Sequence, residues 1–303
     1  MRDGAMQAVE GEFSGCSAGR ARLNRVVSAE HTIGIIAGRG IFPATFVEAA
    51  RKRGVRVVMA AFKGETEPRL EPEVEVLEWF RVGQLVKMIK FFQREDVREC
   101  VMIGQISPDR LFDLRPDLRL IGILAKLKER NAESLFGAVA DELGKGGIKV
   151  LPSTTFLEDN LPGPGPVFGP GLNEAGIEDA AFGMRIAKEV SRLDIGQSVV
   201  VREGTVLAVE AFEGTNKCIR RGGELGKGKK VKLVKVAKPE QDLRFDVPVV
   251  GPHTIEACKE AGVSAVVIEA GRTLVLGMEE VKSLCDEHGI SLHAHDSGSS
   301  EGA

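Results

Sequence analysis

Acidic and basic side chains are interleaved in one short segment of the second half of the chain, from Lys235 to Pro248. Asp242, Arg244 and Asp246 occupy alternate positions, so in an extended segment their side chains would share one face. Chemistry at a phosphoryl group needs metal to neutralise charge on its oxygens, arginine binds the same oxygens, and Mg²⁺ prefers carboxylate and phosphate oxygens. The segment therefore suggests a phosphoryl site, and it is equally typical of a solvated loop with a surface salt bridge.

A glycine-rich turn, Gly38 to Gly40, follows the apolar run Ile33–Ala37 near the start of the chain. Glycines between a strand and a helix allow backbone N–H groups to approach a phosphate. The dinucleotide-binding fingerprint is incomplete, because Phe42 and Pro43 stand near the place of its third glycine and no acidic residue closes the next strand. This turn argues against NAD and leaves another nucleotide, a phosphate or a plain tight turn as interpretations.

Gln105 follows a second apolar run, Cys100 to Gly104, in the string Gly-Gln-Ile-Ser-Pro that ends at Ser107-Pro108. Ligands of open α/β sheets gather at the carboxyl ends of the strands. The amide of Gln105 could donate and accept hydrogen bonds there, and an ordinary turn explains the string equally well.

Glu210 lies within an apolar strand, where a carboxylate needs a partner or solvent. The residues Glu213, Gly214, Thr215 and Asn216 that follow predict a tight turn into a short helix. Thr215 or Asn216 would be a natural N-cap of that helix.

Alternating strands and helices position these motifs and predict an α/β protein with two domains. Residues 31–160 read as a small doubly wound domain. The segment 161–172 is so rich in proline and glycine that we expect a connector without regular structure. Residues 173–296 form a second α/β domain, whose strand order the sequence does not give. We predict strands at Ile33–Ala37, Val55–Phe62, Val74–Phe80, Cys100–Gly104, Ser198–Ala211 (a pair turning at 203–204), Val231–Val236, Val263–Ala270 and Ile290–His293. We predict helices after Gly40 and at Gln84–Glu95, Lys126–Leu143, Ile177–Leu193, His253–Ala261 and Met278–His288.

Composition excludes several classes of protein. The chain has 303 residues and a net charge of −3, which gives no overall attraction to nucleic acid. No stretch is apolar enough for a membrane span. We expect residues 1–30 to be a flexible leader, because they lack the apolar core of a signal peptide, and residues 297–303 to be a tail. The five cysteines form neither a disulfide framework nor a metal motif, so we expect a cytoplasmic protein.

Lysines at positions 227, 229, 230, 232, 235 and 238 form a local basic stretch. It reads first as a solvated hairpin, and contact with anionic headgroups at the inner membrane is the alternative. The apolar residues of the helix at 84–95 favour core burial over an acyl-chain surface.

Taken together and in order, these segments resemble a known family, the UDP-2,3-diacylglucosamine pyrophosphatases of the LpxI type, from lipid A biosynthesis in bacteria. The resemblance extends from about Ile33 to Leu292. It rests on the order and spacing of IAGRGIFP, GQISP, STTFL, RLDIGQSVVV, LAVEAFEGTN, KVAKPEQDLRFDVPVVGPHTI and IEAGRTLVL.

The resemblance implies an N-terminal Rossmann-like domain and a C-terminal α/β domain peculiar to the family, with the substrate between them. It implies hydrolysis of UDP-2,3-diacylglucosamine to UMP and 2,3-diacylglucosamine 1-phosphate (lipid X), with Mg²⁺ or Mn²⁺. Asp246 resembles the family's essential carboxylate, and we expect it to hold the metal alone or with Asp242, beside Arg244. Positions that match substrate-lining residues of the family are Gly38, Gly40, Gln105, Thr215, Asn216, Lys235 and Lys238.

One departure from the family concerns Asn216, where the pattern Glu-Gly-Thr-Asp normally ends in aspartate. An amide keeps an acceptor oxygen but loses the charge. This difference motivates one rival hypothesis, a non-catalytic protein that binds a UDP-sugar or lipid X. The other rival, an NAD(P)-dependent oxidoreductase, rests on the glycine turn alone. The sequence leaves open a homodimer and a peripheral contact with the membrane.

Overall fold

The computed structural model describes residues 31–106, 117–125, 127, 132–239 and 241–296. The expected leader 1–30 and tail 297–303 lie outside the described residues, as do Ser107, Pro108 and Glu240. Lys126, the predicted start of a helix, lies outside them as well. Within the described ranges, no helix is both long and apolar enough to cross a membrane.

The N-terminal half contains a five-stranded sheet in which every strand is parallel, in the order β3-β2-β1-β4-β5. Parallel neighbours need crossover connections, which α-helices provide here except between the second and third strands, where the 3₁₀ helix Pro68–Glu73 lies. The strands are β1 (Thr32–Ala37), β2 (Arg56–Phe62), β3 (Val76–Phe80), β4 (Glu99–Ile103) and β5 (Lys149–Val150). The helices are α1 (Ile41–Lys52), α2 (Leu85–Arg94), α3 (Leu118–Leu124) and α4 (Ala132–Lys145).

Helices cover both faces of this sheet. Ile33 and Ile35 of β1 pack with Phe46 of α1 on one face. Ile36, which points the other way, packs with Phe92 of α2 on the opposite face. A sheet buried on both faces explains why β1, β2 and β4 are almost continuously apolar. The prediction of a doubly wound sheet is therefore confirmed, as is core burial of the apolar side of α2.

The C-terminal half contains a six-stranded mixed sheet in the order β6-β13-β11-β9-β7-β8. The pairs β13–β11 and β11–β9 are parallel, and the pairs involving β6, β7 and β8 are antiparallel. The sheet strands are β6 (Gly165–Phe168), β7 (Ser198–Arg202), β8 (Thr205–Val209), β9 (Val231–Lys235), β11 (Val263–Glu269) and β13 (Ser291–His295). The other elements are α5 (Glu174–Arg192), α6 (Thr215–Leu225), β10 (Val249–Val250), α7 (Pro252–Glu260), β12 (Leu274–Val275) and α8 (Met278–His288).

This second sheet is also buried on both faces. Met184 of α5 packs with Val199 and Val234 on one face. On the other face α6, α7 and α8 pack against the sheet, where Ile219 and Ile255 meet Leu233. The predicted helices and strands of this half agree with the structure within a few residues at their ends.

The proline- and glycine-rich segment 161–172 contains regular structure, so the expectation of a connector without it was wrong. Residues Gly165–Phe168 form β6, which pairs antiparallel with β13 at the edge of the sheet. A proline is tolerated in an edge strand because one side of that strand needs no ladder hydrogen bonds. Gly169 is required after it, since its φ is +77° and a Cβ there would collide with the carbonyl oxygen of Ile290.

The loop that leads to β10 fastens the two halves of the protein together. Ser153, after β5, donates from its backbone N–H to Leu243 O at 2.7 Å. Its hydroxyl lies 3.0 Å from Met102 O and 2.9 Å from Arg244 O. The ring of Phe245 packs 5.9 Å from that of Phe136 in α4. The loop at 241–248 is thereby held against the carboxyl ends of β4 and β5.

Candidate functional site

A cleft of about 930 Å³ lies where the carboxyl ends of β1 and β4 face the C-terminal half. This is the edge at which open parallel sheets bind ligands. Its wall also includes residues from the loops after α5 and β8, from the end of β9 and from the start of α7. The charged or polar lining residues include Arg39, Gln105, Ser153, Asp194, Gln197, Glu210, Glu213, Thr215, Asn216, Lys217, Arg220, Lys235, Lys238, Asp246, His253 and Thr254.

The glycine turn after β1 is fixed to the segment after β4 by backbone hydrogen bonds. Arg39 N–H donates to Gln105 O at 2.8 Å, and Gln105 N–H donates to Arg39 O at 3.1 Å. Gly38 is needed for this contact, because a Cβ there would collide with the backbone of Gln105. Gly40, with a φ of +95°, faces open space and lines the cleft with Gln105, whereas Gly38 is not part of the lining.

Three helices of the described chain begin at the cleft, and each has a glycine at its N-cap. The N-caps are Gly40 of α1, Gly214 of α6 and Gly251 of α7, and no side chain caps any of them. Uncapped N–H groups and the positive end of the helix dipole favour a bound anion. Elsewhere, α3 and α5 have side-chain caps, provided by Asp117 and Asn173, whereas α2 and α8 have none.

The prediction that Thr215 or Asn216 caps α6 was wrong. Gly214, with a φ of +84°, takes the cap position, so Thr215 is the first helical residue and Asn216 the second. The hydroxyl of Thr215 therefore turns away from its own helix. It donates to Glu210 Oε1 at 2.7 Å, while Asn216 lines the cleft.

Lys235, Thr215 and Glu210 form a continuous hydrogen-bonded chain in the wall of the cleft. Lys235 Nζ donates to the Thr215 hydroxyl at 3.3 Å, and that hydroxyl in turn donates to Glu210. Burial lowers the pKa of the Lys235 amine, and the negative charges of Glu210 and Asp246 oppose that shift. The second carboxylate oxygen of Glu210, Oε2, is buried and accepts no hydrogen bond from the described residues.

Asp246 lines the same cleft, close enough to Lys235 for their charges to interact. Its carboxylate forms no hydrogen bond or ion pair with any residue that the structure describes. The loop turns at 243–245, where Asp246 N–H donates to Asp242 O at 3.0 Å. The chain is therefore not extended there, and the expectation that Asp242, Arg244 and Asp246 share one face was wrong.

Asp242 and Arg244 pair with each other instead of facing the cleft. Arg244 Nη2 lies 2.6 Å from Asp242 Oδ2, and Arg244 Nε lies 3.0 Å from Asp242 Oδ1. The hydrogen bonds from Arg244 lower the pKa of the Asp242 carboxyl. Neither residue is among those that line the cleft. The spacing in the sequence predicted that Asp242 and Arg244 lie beside Asp246, but the turn at 243–245 directs them away from it.

Lys238 lines the cleft next to the loop that follows α5. Its ammonium group pairs with the carboxylate of Asp194. Its backbone N–H donates to Gln241 Oε1 at 2.9 Å, which fixes the chain as it leaves β9. Lys238 and Lys235 therefore approach the cleft from the same strand end.

Lys230, just before β9, and Lys232, near the start of β9, lie at the other end of the sheet. Lys232 pairs in register with Val201, next to the turn of the β7–β8 hairpin, whereas Lys235 pairs with Ser198. Lys230 Nζ lies 3.0 Å from Glu203 Oε1, and Lys232 Nζ lies 2.7 Å from the buried Asp179. The six lysines thus do not form one surface.

Sequence reasoning missed the start of α7 and Ser153 as parts of the site. Gly251, His253 and Thr254 line the cleft, and the signal for them was a glycine followed by Pro252 at the first helical position. The place of Ser153 depends on its three long-range hydrogen bonds, which leave no local pattern in the sequence.

Comparisons with known proteins cover nearly all of the described chain. The model of the LpxI N-terminal domain matches residues 32–160, and the model of the LpxI C-terminal domain matches residues 164–293. The UDP-2,3-diacylglucosamine pyrophosphatase LpxI of Caulobacter vibrioides is 31% identical over 273 residues, which cover 85% of this chain and 95% of that protein.

Among solved structures, the biotin carboxylase domain of a Hydrogenobacter thermophilus 2-oxoglutarate carboxylase aligns with 57% of this chain and 35% of that one. Its sequence identity is 11% and its TM-score 0.25, so it supports no inference. The two domain models and the extent of the Caulobacter alignment agree with each other, and the chain belongs to the LpxI family.

Proposed function

We propose that this protein hydrolyses the pyrophosphate of UDP-2,3-diacylglucosamine to UMP and 2,3-diacylglucosamine 1-phosphate, a step of lipid A biosynthesis in bacteria. The observation that carries the proposal is the cleft itself, in which three uncapped helix N-termini, Lys235 and an unpaired Asp246 meet. The activity of the Caulobacter relative agrees with this chemistry. The described cysteines are all free thiols, as we expect for an enzyme of the cytoplasm.

Anion binding follows from the wall of the cleft. In our proposal the N-terminal sheet acts as a Rossmann-like nucleotide domain, and the diphosphate lies against Gly40, Gly214 and Gly251. Lys235 gives one N–H to Thr215 and has further N–H groups for phosphoryl oxygens. Gln105 and Asn216 offer amide groups to the sugar or the base.

A divalent metal, Mg²⁺ or Mn²⁺, fits two carboxylates of the cleft. Asp246 is unpaired, and Glu210 has a buried oxygen without a partner in the described structure. Asp242 does not fit, because Arg244 occupies both of its oxygens. The described residues contain no group of three His, Cys, Asp or Glu side chains that could hold an ion. Mg²⁺ often takes only one or two protein carboxylates and completes its shell with water and substrate phosphate.

The reaction joins a water oxygen to one phosphorus and breaks the bond from that phosphorus to the bridging oxygen. The bridging oxygen keeps the electron pair of the broken bond, and a water proton is released. In our proposal Asp246 orients the water and accepts that proton, which then passes to solvent. Lys235 and the helix N-termini donate hydrogen bonds to the oxygens on which charge develops. When bound, the metal would supply further charge neutralisation at the same oxygens.

The first experiment measures UMP release from UDP-2,3-diacylglucosamine by the purified protein, with Mg²⁺, with Mn²⁺ and with EDTA. Asp246→Ala should still bind substrate and turn over at least ~100-fold more slowly. Asp242→Ala is the matched control, and we expect it to keep most of the activity because it lies outside the cleft. Near-normal turnover by Asp246→Ala would refute its role, and release that EDTA does not affect would refute the metal.

Asn216 keeps a second candidate open, a protein that binds the UDP-sugar or lipid X without turnover. Its amide lines the cleft in the first turn of α6, where the family normally has a carboxylate. Asn216→Asp distinguishes the two functions. An inactive wild-type protein that gains turnover from this substitution would be a binding protein, whereas an active wild type that changes by less than ~10-fold would be an enzyme in which Asn216 suffices.

A further inference from the structure

Three large apolar side chains are exposed together beside the cleft. Leu193 is 61% exposed, Ile195 is 49% exposed and Phe212 is 105% exposed. We call these three residues the apolar rim. Leaving a phenylalanine fully in water forgoes the favourable free energy of its burial, and clustered exposed apolar groups on a folded protein mark an interaction site.

The register of the β7–β8 hairpin brings the two loops of the rim to the same end of the sheet. Val199 pairs with Val209, and Glu210 N–H donates to Ser198 O at 2.8 Å, so the loop before β7 lies beside the loop after β8. Gly196 packs so closely that a Cβ there would collide with the carbonyl oxygen of Glu210. Ile195 and Ala211 both line the cleft, which places the rim along its edge.

The end of α5 explains why Leu193 and Ile195 are displayed. Asp194 N–H donates to Ser191 O and Ile195 N–H donates to Val190 O, the two bonds of a Schellman motif. Asp194 takes the left-handed conformation, with a φ of +55°, and its side chain pairs with Lys238. In such motifs the apolar residue at the position of Ile195 usually folds back onto the helix, but here half of it stays exposed.

Two acidic groups near the rim have cationic partners. Asp194 pairs with Lys238, and Glu213 Oε1 lies 2.6 Å from Arg221 Nη2. Lys217 in the first turn of α6 is exposed and forms no ion pair within the described part of the chain. The carboxylates of Asp194 and Glu213 are thus neutralised by cations, and Glu210 of the same loops accepts a hydrogen bond from Thr215. The exposed Lys217 favours anionic groups.

We propose that the apolar rim inserts into the acyl region of a bilayer with anionic headgroups, so that the cleft opens onto the lipid surface. Single side chains that protrude from two loops suit a fluid phase, whereas a protein partner would need a larger complementary face. The inference deepens the proposed function, since a diacylated substrate would enter the cleft directly from the bilayer. It differs from the basic-stretch hypothesis, because Lys230 and Lys232 lie at the other end of the sheet.

The test is flotation of the purified full-length chain with vesicles, without substrate. Vesicles of phosphatidylethanolamine and phosphatidylglycerol are compared with vesicles of phosphatidylcholine. Phe212→Ser and Ile195→Ser should each lower the partition coefficient on the anionic vesicles, by at least ~10-fold for Phe212, because an inserted aromatic side chain is lost. Leu225→Ser is the matched control, since Leu225 is 60% exposed but lies at the other end of α6, and it should bind as the wild type does.

A second measurement reports insertion directly. Phe212→Trp and Leu225→Trp each add one tryptophan to the single Trp79 of the chain. Lipids brominated in their acyl chains should quench the added fluorescence of Phe212→Trp and leave that of Leu225→Trp unchanged. Quenching of neither, or of both equally, would overturn the proposal.

Other outcomes also overturn it. If the wild-type protein does not float with anionic vesicles, the apolar rim does not bind membranes. The same conclusion follows if both rim variants float as well as the wild type does. A concentration-dependent dimer that Phe212→Ser dissociates, without vesicle binding, would assign the rim to a second copy of the chain. If the protein releases UMP but does not bind vesicles, the proposed function stands and this inference is refuted. If it binds vesicles but releases no UMP, the inference stands and the proposed function is refuted.

Discussion

Lys235 and Thr215 are joined by a hydrogen bond of 3.3 Å between the ammonium nitrogen at the end of β9 and the hydroxyl that opens α6. The same hydroxyl donates to Glu210 at 2.7 Å. Only a group that both accepts and donates can link a cation to a carboxylate in this way. The side chain of Thr215 thus sets the position of the cation in our proposed phosphate site.

Thr215→Val should lower kcat/KM by about 10-fold or more, because it removes both hydrogen bonds while keeping the shape of the side chain. Glu210 and Lys235 would then face each other without the bridging hydroxyl. The measurement is steady-state UMP release, together with a circular dichroism melt to show that the protein remains folded. Thr215→Ser keeps the hydroxyl and is expected to retain most of the activity, and equal loss in both variants would contradict the bridging role.

Activity should fall as the pH rises through the pKa of Lys235. Burial lowers that pKa below the ordinary value of 10.5, so the cation is lost at a lower pH than for a lysine in water. Lys235→Arg stays charged and should abolish this alkaline limb in a profile of kcat/KM against pH. The same limb in both proteins would assign it to another group.

The buried charge of Lys235 also costs stability, and the sign of the effect follows from its lowered pKa. Between that pKa and 10.5 the unfolded chain binds more protons than the folded one, so the free energy of unfolding rises with pH in this window. The cost is fully present only at a pH below the lowered pKa, where the folded protein also keeps Lys235 charged. Lys235→Met should therefore raise the urea midpoint at pH 7 while it lowers kcat/KM by about 10-fold or more. A lower midpoint would show that the attraction of Lys235 to Glu210 and Asp246 outweighs the desolvation.

Glu210→Gln should raise the Mg²⁺ concentration needed for half-maximal activity by about 10-fold or more, since it replaces a proposed charged ligand by an amide. Titration of UMP release with Mg²⁺ measures this effect. Glu213→Gln is the matched control, because Glu213 also lines the cleft but is paired with Arg221. An unchanged Mg²⁺ dependence in Glu210→Gln would remove Glu210 from the metal site.

Gly38→Ala should destabilise the protein by about 1–3 kcal/mol, the usual cost of forcing an extra methyl group into a packed site. The new Cβ would collide with the backbone of Gln105 and separate the glycine turn from the end of β4. Urea unfolding measures the change. Gly144→Ala, at a helical position where a Cβ meets no atom within 4 Å, should be neutral or stabilising. Equal midpoints for both variants would argue against the collision.

The sequence by itself determined the elements and the family. Apolar runs bounded by glycine identified β1, β2 and β4, and helical spacing identified α1 and α2, because these patterns depend on burial of one side of a local segment. It also identified Gly40, Gln105, Thr215, Lys235 and Asp246, all of which lie in the cleft wall. The order of motifs along the chain led to the family that the comparisons show.

Only the tertiary structure decided which of the charged residues meet. Asp242 and Asp246 are four positions apart, but a turn lies between them. Asp242 therefore pairs with Arg244, whereas Asp246 lines the cleft. Residues Gly165–Phe168 of the proline-rich segment form a strand because they pair with β13. The apolar rim forms because the loop before β7 packs against the loop after β8. Such outcomes depend on partners far away in the sequence, and local patterns carry no information about which partner a side chain will find.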